Sequence, residues 1–96
     1  RTDKEADPEK KSQQILDEAE KIFLQSGISK ELISTRLRTG KPAEEIIREV
    51  ENENCNMIIM GRKGRGAIKD LLLGGVSKTV LQHCQDQTIA IVSSDD

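Results

Sequence analysis

The chain has 96 residues, 34% of them hydrophobic and 33% charged, with one Phe and no Trp or Tyr. That allows one small domain with a lean core, so help from a partner chain or ligand is expected. A net charge of −2 and a pI of about 5.5 argue against a sequence-independent nucleic-acid binder, and there are no aromatic rows on which bases stack. No apolar run approaches the roughly 20 residues of a membrane span, and no apolar signal region opens the chain, so the expectation is cytoplasmic with no membrane insertion.

Residues 1–11 read as a disordered polar N-terminus, 12–92 as a partial α/β domain, and 93–96 as a polar tail. Asp7-Pro8 supplies an N-cap and a first-turn proline. Ile15, Leu16, Ala19, Ile22 and Phe23 then recur at helical spacing until Gly27, which predicts a helix over 8–26 packed on its own sheet. From 32 to 38, Ile33, Thr35 and Leu37 alternate with Ser34, Arg36 and Arg38, the pattern of a strand with one wetter face. Gly40-Lys41-Pro42 turns into a second helix that buries Ala43, Ile46, Ile47 and Val50 and pairs Glu44 with Arg48. Glu45 and Glu49 read as solvated acids of its exposed face.

Residues 51–54 end that helix and lead into a strand at 56–60. Met57 to Met60 are continuously apolar, which suits a parallel strand covered on both faces. Gly61-Arg62-Lys63-Gly64-Arg65-Gly66 follows, rich in glycine and cations, and Gly74-Gly75 precedes a helix starting near Val76 or Ser77. Residues 67–73 read as a short helical turn. The third helix should bury Val76, Val80 and Leu81, and Thr88 to Val92 is the last strand. The predicted order α-β-α-β-α-β implies a parallel open sheet with flanking helices.

A strand, a glycine-rich basic loop and a helix start are the parts of an anion site. Glycine lets a phosphate approach bare backbone, amides at a helix start are unpaired, and Arg62, Lys63 and Arg65 add charge. The candidate phosphate-binding residues are Gly61, Arg62, Lys63, Gly64, Arg65, Gly74, Gly75, Val76 and Ser77. In open parallel sheets ligands sit beyond the carboxyl ends of the strands, where this loop lies. Neither a Walker A loop nor a dinucleotide fingerprint is present. No catalytic residue is expected, because His83 lies at the far end of its helix and Asp70 reads as exposed beside Lys69; a slow ATPase is the enzymatic alternative. No metal site is expected, since the adjacent His83 and Cys84 point about 100° apart on a helix. Cys84 reads as a small core residue.

The spacing Gly61-x2-Gly64-x9-Gly74 resembles the nucleotide-binding signature of the universal stress protein family, Gly-x2-Gly-x9-Gly-Ser/Thr. Gly40-Lys41-Pro42-Ala43 resembles that family's turn into its third helix, and Cys55 to Gly61 its fourth strand. The resemblance implies an adenine nucleotide alpha-hydrolase-like, Rossmann-like fold with five parallel strands. It implies ATP or a related adenine nucleotide as ligand, with or without Mg2+, and a stress-response regulatory role. It also implies a homodimer built through Thr88 to Val92. Three departures stand out. The front βαβ has no counterpart before residue 8, so its contacts would come from another copy or from a missing N-terminal half. Gly75 replaces the motif's hydroxyl residue, with Ser77 as a possible substitute. Asn56 and Asp86-Gln87 stand where the family commonly has Asp and Cys-Pro. The competing reading is a dimerisation or docking module that has lost nucleotide binding.

Overall fold

The structure, a computed structural model, describes residues 7–61 and 73–93. The chain divides into two compact units, Arg1–Arg38 and Thr39–Asp96.

In the first unit, helix α1 spans Pro8–Gln25. It starts where the sequence places it, with Asp7 Oδ1 accepting from the Lys10 N–H at 3.1 Å and Pro8 in the first turn. It ends in a Schellman turn. Gly27 takes φ +99°, its N–H donates to the Leu24 carbonyl, and the Ile28 N–H donates to the Phe23 carbonyl, each at 3.1 Å. None of the α1 side chains is buried, and Ile22 is 62% exposed. The expected strand at 32–38 does not form. A single 3-10 turn, Lys30–Leu32, gives way to irregular chain, although Ile33 keeps extended dihedrals (φ −119°, ψ 131°). Alternation makes a strand only when a neighbouring strand completes the ladder, and none pairs with this segment among the described residues. The first unit therefore has no sheet of its own for the α1 stripe to cover.

In the second unit, helix α2 (Pro42–Glu53) is followed by strand β1 (Met57–Gly61), a wide π-helical turn at Leu73–Ser77, helix α3 (Lys78–His83) and strand β2 (Thr88–Val92). β1 and β2 pair in parallel, with Met57 opposite Thr88 and Gly61 opposite Val92. This is the only sheet among the described residues, two strands where the sequence predicts three.

Pro42 opens α2 as expected, and Asn54 closes it in the left-handed region (φ 54°, ψ 47°). The Cys55 N–H then returns to the Val50 carbonyl at 3.0 Å. Arg48 pairs with Glu45, not with Glu44: Nη1 lies 2.7 Å from Oε2, and the Glu45 side chain is only 17% exposed. The same carboxylate lies over Gly40, whose φ is +142°. A Cβ at Gly40 would sit 2.7 Å from Glu45 Oε2. Gly40→Ala therefore strains the backbone and displaces the Arg48 partner. A loss of about 1–3 kcal/mol in urea unfolding is expected, and an unchanged midpoint would contradict this account of the turn.

The core lies on one face of the sheet. Val50, Ile58, Val80 and Cys84 are buried, and Ile46, Ile47, Met60 and Ile89 pack against them. Alternation puts Ile58 and Met60 on that face. Met57 and Ile59 take the other, at 50% and 65% exposure. The expectation of a strand covered on both faces is thus met on one face only. Apolar residues stand at every position of the run, but among the described residues only one of its faces is packed. No helix among the described residues is long and apolar enough to cross a membrane.

Candidate functional site

The predicted site runs from Gly61 to Ser77. Gly61 is the last residue of β1, opposite Val92 at the end of β2, so it stands at the carboxyl edge of both strands. Arg62, Lys63, Gly64 and Arg65 lie outside the described residues, as do residues 67–72 of the helical turn predicted at 67–73; Leu73 opens the π-turn. Gly74, Gly75, Val76 and Ser77 all belong to the π-turn that leads into α3. The predicted helix start near 76 or 77 is therefore the end of a wider turn. A π-turn carries one residue more per turn than an α-helix, and such single turns recur at functional positions.

The buried face of the third helix differs in part from the expected one. The sequence reading buries Val76, Val80 and Leu81. In the structure Leu81 is 47% exposed, and Ser77, Val80 and Cys84 make the buried stripe. Their spacing, i, i+3 and i+7, is that of one helix face.

Ser77 is 0% exposed, and its Oγ has no hydrogen-bond partner among the described residues. Buried hydroxyls are nearly always paired, and an unpaired one costs about 1–3 kcal/mol. Thr79 behaves differently. Its Oγ1 donates to the Gly75 carbonyl at 3.1 Å, which ties the first turn of α3 to the residue that stands in place of the motif's hydroxyl. Sequence reasoning missed Thr79, although a hydroxyl four residues after a glycine at a helix start is a recognisable back-bonding signal. Gly75 is exposed, and a Cβ there would meet nothing within 4 Å.

At the other end of α3, His83 Nδ1 lies 3.1 Å from the Thr79 carbonyl, a distance at which the ring N–H donates. Cys84 is buried, as expected of a small core residue. Burial pushes its thiol up from the ordinary value, and the Glu51 carboxylate adds to the effect. Among the described residues no group of His, Cys, Asp and Glu could hold a metal ion. Two shallow depressions belong to the first unit, one beside Asp17 and Lys21 and one beside Asp7 and Gln13. Neither contains a residue of the predicted site.

The profile of the universal stress protein family matches residues 1–90. Three curated relatives give the range of similarity. A universal stress protein of Methanocaldococcus jannaschii is 35% identical over 52 residues, covering 54% of this chain and 32% of the relative. One of Bacillus subtilis is 30% identical over 73 residues, covering 76% and 47%. One of Thermus aquaticus is 34% identical over 70 residues, covering 69% and 50%. The chain thus spans about a third to a half of the length of the curated relatives it matches. No solved structure gives a significant match.

Proposed function

We propose that this chain, which belongs to the universal stress protein family, binds the phosphates of ATP or a related adenine nucleotide through the stretch from Gly61 to Ser77. It would act as a non-catalytic regulatory module of the stress response. The observation that carries the reading is the placement of the motif's outer glycines. Gly61 ends a parallel strand, and Gly74-Gly75 lie in the wide turn before α3. Gly61 stands at the carboxyl edge of the sheet, where ligands of open α/β sheets bind. Within the proposal, Gly61, Gly64 and Gly74 leave room for phosphate oxygens, and backbone amides of Gly75 and Val76 face them. Arg62, Lys63 and Arg65 compensate the charge. The Ser77 hydroxyl, unpartnered among the described residues, is available as a further donor. Base and ribose contacts would come from chain beyond these residues or from a second copy.

Equilibrium titration with ATP, ADP and AMP tests the reading. Saturable binding is expected, and Gly75→Ser should tighten it by about 0.5–1.5 kcal/mol, several-fold, by restoring a hydroxyl where there is space for one. No binding at millimolar nucleotide in either form would refute it.

A second reading, a dimerisation or docking module, is favoured by the exposure of Met57, Ile59 and Val92 on the sheet. It predicts concentration-dependent assembly in sedimentation, indifferent to nucleotide. Ile89 is unsuited to probing that assembly, because it packs against the core cluster.

A further inference from the structure

We propose that Cys55 and Cys84 form a peroxide-responsive dithiol pair that closes to an intramolecular disulfide. Both are free thiols. Cys84 belongs to the buried cluster with Val50, Ile58 and Val80, and Cys55 packs against that cluster while keeping partial access to solvent. The cluster they share also holds Val50 near the end of α2. The Cys55 N–H returns to the Val50 carbonyl at 3.0 Å, which holds the Cys55 backbone at the end of α2. Gln87 Nε2 donates to the Cys55 carbonyl at 3.3 Å, and the Thr88 N–H donates to the Asn56 carbonyl at 3.0 Å. The segment entering β2 therefore runs beside Cys55, and Cys84 ends α3 just three residues before Gln87.

The two positions suit different steps. Cys55, the more accessible, is the thiol that meets peroxide. Its sulfur attacks one peroxide oxygen, the O–O bond breaks, and sulfenic acid and water result. The Cys84 sulfur then attacks the Cys55 sulfur and gives up its proton. The S–S bond forms as the hydroxyl leaves, and hydroxyl and proton make a second water. Two thiols supply two electrons to one hydrogen peroxide. The bond would bracket β1, the glycine-rich stretch and α3, so oxidation would tether both ends of the segment from Gly61 to Ser77. The pairing itself does not depend on nucleotide binding.

The test uses the whole chain, treated with hydrogen peroxide, alkylated at its remaining thiols and digested without reduction. Mass spectrometry should find the Cys55 peptide joined to the Cys84 peptide, lighter by two hydrogens, within the monomer and reversible by dithiothreitol. In urea the yield should fall, because the fold brings the thiols together. Cys84→Ala should leave Cys55 as a sulfenic acid that dimedone traps. The proposal is overturned if Cys55 pairs with Cys55 of another chain, or if it over-oxidises while Cys84 remains open to alkylation once the protein is unfolded. The wild-type peptide map decides even if the variant fails to fold.

Discussion

Val80→Asp is expected to abolish cooperative folding of Thr39–Asp96. Val80 is 0% exposed and packs among Val50, Ile58 and Cys84 between α3 and the sheet. A carboxylate there has neither water nor a cation in that cluster, and a buried unpaired charge is among the few changes that exceed 4–5 kcal/mol. At about 0.05–0.15 kcal/mol per residue, a unit of this size holds only about 3–9 kcal/mol in total. Far-UV circular dichroism during urea titration should lose its sigmoidal transition. Val80→Ala, which deletes two methyl groups and leaves a small cavity, should retain the transition with a loss of about 2 kcal/mol. A folded Val80→Asp protein with an unshifted midpoint would mean that the core does not lie where this structure puts it.

Ser77→Ala is expected to change stability and ligand affinity in opposite directions. Its Oγ is buried and unpaired among the described residues, so removing it removes a desolvation penalty. The ligand-free protein should gain about 1 kcal/mol or more, up to the 1–3 kcal/mol cost of an unsatisfied buried polar group. If the hydroxyl serves a bound phosphate as proposed, the same change deletes a hydrogen bond to a charged group, worth about 1.5–3 kcal/mol. Nucleotide at a hundredfold its dissociation constant stabilises a fold by about 2.7 kcal/mol, so most of that increment should vanish. Paired denaturation curves, with and without ATP, read both effects. A less stable ligand-free variant with unchanged affinity would show the hydroxyl to be structural and already satisfied.

Much of the second unit was legible from residue type. Pro42 marked the start of α2, the apolar tetrapeptide ending at Gly61 marked β1, and Thr88 to Val92 marked β2. Local chemistry dictates each of these. In the first unit Asp7-Pro8 and Gly27 fixed both ends of α1 for the same reason. The misreadings concern relations between segments. The alternation at 32–38 records a face but cannot supply the strand that would pair with it. Leu81 looked buried because it stands beside Val80 in an apolar pair; in the structure it is 47% exposed, and Ser77, read as part of the phosphate loop, is buried in line with Val80 and the expected core residue Cys84. The preference of Arg48 for Glu45 over Glu44 depends on where the Gly40 turn directs a carboxylate. Of the candidate site, the structure describes Gly61 at one end and Gly74-Gly75 at the other, while the roles proposed for Arg62, Lys63 and Arg65 rest on their chemistry.

The buried side chains of the stripe that runs from the π-turn through α3 are all small: Ser77, Val80 and Cys84. The first of them, Ser77, closes the turn that carries Gly74 and Gly75. Anything bulkier at position 77 would act as a wedge, lifting the turn and changing the height at which the glycines meet an incoming group. The packing layer and the turn that carries these glycines thus share one residue, and a change at position 77 acts on both.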